Sequence, residues 1–505
     1  MHTPRRLTTL VSAALAGVLT DAAFPQRNLW PLALVGMAML FLALRRDSAR
    51  WAVLVGFTWG VGFFLPHLWW AREAVGPVPW IALSVAESLI MAAGCACYVW
   101  IRRMPGLRRG GLLAAIAFAA AWTSAEQVRQ VWPFGGFPWG RLAFSQTDGP
   151  LLALAGVVGA IGVSFVVALL GGVAGVGWQA VRRFDLVRVP AAVLILALGL
   201  GAPLLIGLDT RAEAGTLRVG AVQGNVAEPG LDAFGEALQV TTNHVRGTQR
   251  LIAEHGPVDL VVWPENAADR DPRSNRQARA LVEEAAASAG VPILVGTVRY
   301  TDDARYNEML IWDPVTGAGD AYAKQIPAAF AEYIPMRSIA RKFSAAVDLV
   351  QVDMARGTEV ANLTVPLADR SVDVGTIICF EVAYDSVARD AALAGAEFLL
   401  VPTNNATFGY TSESTQQFAM SRFRAVEHGR AVVQISTVGV SGVIMPDGSV
   451  SEQTGLYTAE EFAADLPLRT SITLADRLGD APVVLLLALT GIGFTLGVVS
   501  HRRHR

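Results

Sequence analysis

Val258-Asp259-Leu260-Val261-Val262-Trp263-Pro264-Glu265 and Val374-Gly375-Thr376-Ile377-Ile378-Cys379-Phe380-Glu381 are two apolar, β-branched runs, each ending at a chemically functional side chain. Short runs of this kind read as buried strands, and open α/β sheets gather their sites at strand ends, where loops converge. Similar candidate strands are Leu217–Val222, Ile293–Val298, Phe398–Pro402, Val432–Thr437 and Ser441–Met445, with the two opening runs read as strands over Val258–Trp263 and Val372–Cys379. Between them, amphipathic stretches predict helices at roughly 233–254, 276–289, 383–394 and 414–428. That alternation is the signature of an α/β or layered α-β-β-α domain, expected over residues 209–481.

The rest of the chain has a different solvent. Of the 505 residues 53% are hydrophobic, and apolar runs of bilayer-crossing length, about 20 residues, lie near 7–23, 29–44, 51–71, 79–101, 111–128, 151–178, 189–208 and 482–500. The expected organisation is a membrane domain of seven helices over 1–208, the polar domain, and a last helix with a basic tail over 482–505. A cleaved signal peptide is the competing reading of residues 1–23, but the six spans that follow directly favour a retained helix. Arginines cluster before the first span, between spans 2 and 3 (Arg45, Arg46, Arg50), 4 and 5 (Arg102, Arg103, Arg108, Arg109) and 6 and 7 (Arg182, Arg183, Arg188), and after the last (Arg502, Arg503, Arg505). The positive-inside rule therefore puts both termini in the cytoplasm and the polar domain on the extracytoplasmic side of the membrane. A net charge of −2 supplies no polybasic patch, so a nucleic-acid partner is not expected.

Three residues of the polar domain carry the chemistry. Cys379 is its only cysteine, which excludes a disulfide framework there; Cys95 and Cys97 fall inside the fourth span. Lysine occurs only at 324 and 342 among 41 basic residues, so a compact ammonium has been kept in a chain that otherwise uses arginine. Lys324 falls in a loop-like stretch, Tyr322-Ala323-Lys324-Gln325-Ile326-Pro327, ahead of Glu332. A thiol is mostly protonated at neutral pH and needs a base or cation nearby to attack a carbonyl. Glu265, partly buried beside Trp263 and Pro264, can take the proton, and Lys324, with the backbone N–H of Phe380, can stabilise the oxyanion. Taken singly, Glu265 could be a loop carboxylate, Lys324 a solvated charge, Cys379 a small buried hydrophobe, and Glu332 and Glu381 partners for arginines. The seven histidines form no metal-ligand spacing, and no metal or cofactor is expected.

Trp263-Pro264-Glu265, then Lys324 with Glu332 eight positions on, then Cys379-Phe380-Glu381, resemble the Glu-Lys-Cys triad of the nitrilase superfamily. Further motifs resemble one membrane-bound branch of it, the apolipoprotein N-acyltransferases: Phe24-Pro25 through Trp30-Pro31-Leu32-Ala33, Gly60 to Trp70, Phe134 to Trp139, Val222 to Asn225, Asn404 to Gly409 and Met420 to Arg430. The resemblance implies a polytopic α-helical membrane protein carrying an extracytoplasmic nitrilase-like sandwich. It implies acyl transfer from a phospholipid, through a Cys379 thioester, to the α-amino group of a diacylated apolipoprotein. Glu265 would be base and acid, Lys324 oxyanion stabiliser, and Glu332, Phe380 and Glu381 substrate-positioning residues. A monomer in the lipid bilayer is expected. Trp69, Trp70, Glu126 and Trp139 are candidates to line lipid access, and 325–345 and 405–416 are candidate lids.

The chain departs from the family around the site: Phe380 replaces the usual tyrosine, Thr407 a tryptophan, and the segment after Lys324 keeps its spacing but not its composition. Two rivals share some of these features. One is a membrane-anchored amidase or esterase that passes the thioester to water; the other is a transporter with an extracytoplasmic binding domain, against which stands the near absence of intramembrane charge, Glu126 being the main candidate.

Overall fold

The computed structural model describes residues 6–108, 110–226 and 238–503. Among these the chain forms two compact units, one of residues up to 72, 77–207 and from 477 onward, the other of 73–76 and 208–476. Residues 233–237 of an expected helix, Arg109, and Arg505 of the basic tail lie outside the described residues.

In the second unit the chain lays down β1 (Thr216–Gln223), β2 (Leu260–Val262), β3 (Ile293–Tyr300), β4 (Arg305–Asp313) and β5 (Gly317–Ala323). It then builds β6 (Asn362–Pro366), β7 (Ser371–Thr376), β8 (Phe398–Thr403), β9 (Val432–Ser436), β10 (Gly442–Ile444) and β11 (Val450–Gln453), and returns as β12 (Glu460–Pro467). Two six-stranded sheets result, ordered β12-β1-β2-β3-β4-β5 and β11-β10-β9-β8-β7-β6. Each has three parallel strands at its centre, β1–β3 and β7–β9, flanked by antiparallel ones.

The helices between the parallel strands are where the sequence pattern puts them, at Gln239–His255, Arg276–Ala289, Asp385–Leu393 and Glu413–His428. Arg276–Ala289 is bounded by its local chemistry: the Asn275 side chain accepts from the N–H groups of Gln277 and Ala278, and Gly290 closes it at φ +69°. Of its buried face, Val282, Ala285 and Ala286 join Val222, Leu251, Trp263 and Ile293 in one core cluster. At the end of β1, fully buried Gln223 ties the two sheets together. Its side-chain oxygen accepts from Ser441 (2.5 Å) and Thr454 (3.0 Å), and its amide donates to the carbonyls of Gly455 (3.1 Å) and Thr458 (3.0 Å).

Two readings of the sequence are corrected here. Tyr322 and Ala323 belong to β5, paired with Met309 and Glu308, so Lys324 directly follows a strand. The run predicted as a strand to Cys379 stops pairing at Thr376, and Cys379 opens a short 3-10 turn, Cys379–Ala383. β4, β5, β6, β11 and β12 were not anticipated. β5 and β12, with Gly317-Ala318-Gly319-Asp320 and Ala463-Ala464-Asp465, have little intrinsic strand preference and extend because a neighbour offers hydrogen bonds.

Every apolar run of the first unit is helical: Arg6–Asp21, Pro31–Ala43, Ala49–His67, Pro77–Ile101, Leu112–Val131, Ala155–Val181, Arg188–Gly201 and Ala481–Arg503. Five helical stretches, Ala49–His67, Pro77–Ile101, Pro150–Val181, Arg188–Leu205 and Ala481–Arg503, are long and apolar enough to cross a membrane. Arg6–Asp21 and Pro31–Ala43 have 16 and 13 residues. Intramembrane charge is richer than expected: Glu87 and Arg129 form a fully buried ion pair, and Arg129 also donates to the carbonyls of Phe137 and Trp139. Glu126 is buried as an acceptor for the Trp122 indole (3.1 Å) and the Leu142 N–H (3.0 Å). Trp139 and Trp70 are buried against each other, while Trp69 is exposed.

Helix contact within this unit depends on small residues, since lipid offers no hydrophobic drive for one helix to join another. A side chain on Gly17 would lie 2.2 Å from the Trp59 carbonyl and 2.8 Å from the Phe63 amide, and one on Gly62 would lie 2.4 Å from the Ala14 carbonyl. Gly17→Leu is therefore expected to cost about 1–3 kcal/mol and to lower the thermal unfolding midpoint of the detergent-solubilised protein. Gly201→Ala, whose side chain would meet nothing within 4 Å, should leave the midpoint unchanged; equal midpoints for the two variants would rule out this crossing.

Candidate active site

Glu265 leaves the end of β2 on a tight turn. The Trp263 amide donates to the Leu294 carbonyl (2.9 Å) and its indole to Thr248 (2.9 Å). On β3, Gly296 makes room for the turn: a side chain there would stand 2.1 Å from the Pro264 carbonyl and 2.8 Å from Glu265 Cα. Lys324 is placed by its backbone, its N–H donating to the Asn307 carbonyl (2.9 Å) and its carbonyl accepting from Gly357 (2.7 Å).

The Lys324 ammonium, 2% exposed, lies 2.9 Å from the Glu332 carboxylate and 3.4 Å from that of Glu265. Asn307 joins the same cluster, its side-chain amide donating to Glu265 (2.6 Å) and Glu332 (3.1 Å). Burial disfavours the ammonium, but Glu332 and Glu265 outweigh it and hold Lys324 above its ordinary pKa, so the cation persists. Burial is also the largest influence on Glu265 and raises its carboxyl, Glu332 adding to the rise, against Lys324 and hydrogen bonds from Asn307 and the Cys379 thiol.

Cys379 adopts φ +53°, a left-handed conformation that costs a residue with a side chain about 1 kcal/mol or more. Two buried groups hold it there. Glu381, fully buried, accepts from the backbone N–H groups of Ile378 (2.9 Å), Gln325 (2.7 Å) and Ile326 (3.0 Å) and from the Tyr322 hydroxyl (3.0 Å). One carboxylate thus clamps the nucleophile turn to the segment that follows Lys324. From the other side Arg424 donates to the carbonyls of Val382 (2.9 Å) and Ala383 (3.0 Å) and pairs with Asp385 and Glu427.

Burial pushes the Cys379 thiol up, the Glu265 charge adds to this, and Lys324 opposes it. The resting group is therefore a neutral thiol, and attack requires a base. Glu265, whose charge the thiol feels, can supply one, and Lys324 the positive charge for an oxyanion.

Of the residues singled out from sequence, Glu265, Lys324, Glu332 and Cys379 come together in this way. Glu381 lies behind them with both oxygens occupied by protein donors, and Phe380 lies beside the nucleophile, edge-on to Tyr384 at 5.4 Å. Asn307, Tyr322 and Arg424 escaped sequence reading. For Asn307 the one available signal was a polar residue in a stretch, Tyr306 to Trp312, whose remainder is largely apolar.

This geometry, two carboxylates and a lysine between two sheets with a cysteine at a strand exit, defines a class. Residues 218–475 match the family model described as carbon-nitrogen hydrolase, and residues 16–173 the model described as apolipoprotein N-acyltransferase N-terminal domain. The apolipoprotein N-acyltransferase of Mycolicibacterium smegmatis is 36% identical, over 97% of this chain and 85% of its own length; that of Azotobacter vinelandii is 31% identical over 87% and 86%. The chain belongs to the apolipoprotein N-acyltransferase family. Among solved structures it is similar to Nit3 of Saccharomyces cerevisiae, a member of branch 10 of the nitrilase superfamily, at 16% identity over 53% of this chain and 94% of that one, with a TM-score of 0.38. An amidase from Nesterenkonia sp. matches at 18% identity over 55% and 98%, with a TM-score of 0.40.

Two outcomes follow from the geometry. Glu381→Gln replaces an all-acceptor group with one whose NH₂ must face a backbone N–H or the Tyr322 hydroxyl in either orientation. It should destabilise the unit by about 1–3 kcal/mol in thermal unfolding, and no loss would mean that the clamp carries no energy. Glu265 must be ionised to take a proton, and its pKa is raised. The rate of Cys379 alkylation should therefore fall on acidification with a midpoint above the ordinary carboxyl value of about 4.3. In Glu265→Gln that acid limb should vanish and the rate drop by about 10²-fold; a limb that survives would assign the base elsewhere.

Proposed function

We propose that Cys379 attacks the acyl ester of a phospholipid and that the resulting thioester is passed to the α-amino group of the diacylglyceryl-modified N-terminal cysteine of an apolipoprotein. Glu265 takes the thiol proton and delivers it to the departing lysophospholipid, then takes a proton from the attacking amine. Lys324 and the Phe380 N–H face the oxyanion in both steps, Glu332 and Asn307 hold Lys324 and Glu265 in register, and Glu381 sets the turn that carries the nucleophile. The observation that carries this reading is the buried Lys324 shared between Glu265 and Glu332, with the Cys379 thiol under the charges of Glu265 and Lys324, in a chain whose other unit is built of apolar helices.

Both substrates are lipid-anchored, and drawing an acyl chain into water costs about 0.8 kcal/mol per CH₂. The membrane helices remove that cost by holding the enzyme where the chains already are. Phe330, Met336, Ile339 and Phe343, exposed on the segment after Lys324, offer apolar surface for them. The arginine distribution supports a plasma-membrane protein with its catalytic unit on the extracytoplasmic side. The triad is complete within one chain, which supports a monomer, and the net charge of −2 speaks against a nucleic-acid partner.

Intact-mass spectrometry of the purified enzyme incubated with a phospholipid is expected to find an acyl-sized adduct on Cys379 that disappears when a diacylated lipopeptide is added. Cys379→Ala should insert in the membrane yet form no adduct and no product. Free fatty acid released at one rate with or without the lipopeptide would replace transfer by hydrolysis.

A further inference from the structure

Cys379 has a second polar neighbourhood, on elements that contribute nothing to the Glu265–Lys324–Glu332 cluster. Thr403, the last residue of β8, places its hydroxyl 3.2 Å from Cys379 Sγ and 2.8 Å from the side-chain oxygen of Gln417. The amide of Asn405 donates to that same Gln417 oxygen (3.0 Å) and to Glu413 (2.7 Å), and its own oxygen accepts from the Ser436 hydroxyl (2.6 Å). This fixes which way the amides face: with both of its donors around Gln417 Oε1, the Gln417 NH₂ is left toward Sγ, at 3.6 Å. Thr403, Asn405, Gln417 and Ser436 are all buried.

The Thr403 hydroxyl has one proton and two acceptors. Opposite a neutral thiol, whose sulfur is a weak acceptor, an amide oxygen is the better acceptor. Opposite a thiolate the order reverses, because hydrogen bonds to an ionised acceptor are about twice as strong as neutral ones. We propose that Thr403 is a further catalytic residue, whose hydroxyl turns from Gln417 to Cys379 Sγ whenever that sulfur carries negative charge, with the Gln417 amide as a weaker second donor.

The charge arises twice. In acylation the S–H bond breaks, its proton goes to Glu265, the S–C bond forms and the ester C–O bond breaks. In transfer the N–C bond forms, the S–C bond breaks and the sulfur leaves as thiolate before it is reprotonated. Thr403 loses no proton in either step, and Gln417 Oε1 keeps Asn405 as donor while the hydroxyl is turned away. Glu265 and Lys324 act from one side of the sulfur and Thr403 from the other. Glu413 is the remaining charged group near the thiol; burial pushes its carboxyl up to about 8, so it is largely neutral at pH 7 and does not oppose the thiolate there.

The proposal rests on Cys379 as nucleophile, and the test reads the thiol directly, apart from acyl transfer. Full-length enzyme in detergent is alkylated with iodoacetamide across pH, and modification at Cys379 is quantified by peptide mass. Thr403→Val should lower the alkylation rate on the plateau above the Glu265 limb about tenfold and slow acyl-adduct formation to a similar extent, while Thr403→Ser should restore both. Thr403→Ala, which adds no bulk, decides where the valine variant does not fold. An unchanged plateau rate in the variants without a hydroxyl would overturn the proposal, as would an equal loss in Thr403→Ser. Cys379→Ala retaining acyl transfer would instead remove the nucleophile, whatever Thr403 does.

Discussion

A lysine ammonium buried between two carboxylates is the constraint on which the catalytic unit depends. Removing such a charge from water costs several kcal/mol unless partners meet it at close range, and for Lys324 those partners come from the exit of β2 and from the segment after β5. Pairing so demanding defines the spacing of the strand ends that carry it. Asn307, reaching both carboxylates from β4, shows how little slack remains. Burial also serves proton transfer, since it raises the Glu265 carboxyl above its ordinary value and so makes it a stronger base for the thiol.

The nucleophile depends on the same economy of buried polar groups. A left-handed cysteine persists only where its surroundings leave no other choice, and here Glu381 and Arg424 bind the backbone on either flank of the turn. Glu381 does more than support a local bend: its contacts with Gln325 and Ile326 connect the turn of the thiol to the segment of the cation. A shift in one of these segments is therefore felt by the other.

The helical unit solves a different problem with different means. Its glycines bring backbones together where side chains would keep them apart, and the Glu87–Arg129 pair sits among apolar residues with backbone carbonyls as further acceptors. Such a pair stabilises a fold mainly by the penalty for losing one member. The presence of charge within a helical bundle is thus compatible with packing, and it needs no transport pathway to explain it.

Glu265, Lys324 and Cys379 were legible in the chain because each follows an apolar run or breaks a compositional habit, and the helices of the first unit because a long apolar run is a one-dimensional property. The central parallel strands were legible for a related reason, since strands buried on both faces must be apolar throughout. Edge strands such as β5 and β12 were not, because residues like Gly317, Ala318 and Ala463 extend only when a neighbour supplies the hydrogen bonds. Nor was the end of β7, where the apolar run continues through Ile378 although the last bond to β8 is made by the Ile377 N–H. Sequence alone thus determined the membrane-borne character of the chain and singled out Glu265, Lys324 and Cys379, which the structure places within one electrostatic neighbourhood. Only the tertiary structure decided what surrounds them, namely Asn307 on the carboxylates, Glu381 under the turn and Thr403 at the sulfur. Those residues act through contacts that join distant parts of the chain, and composition and period carry no record of such contacts.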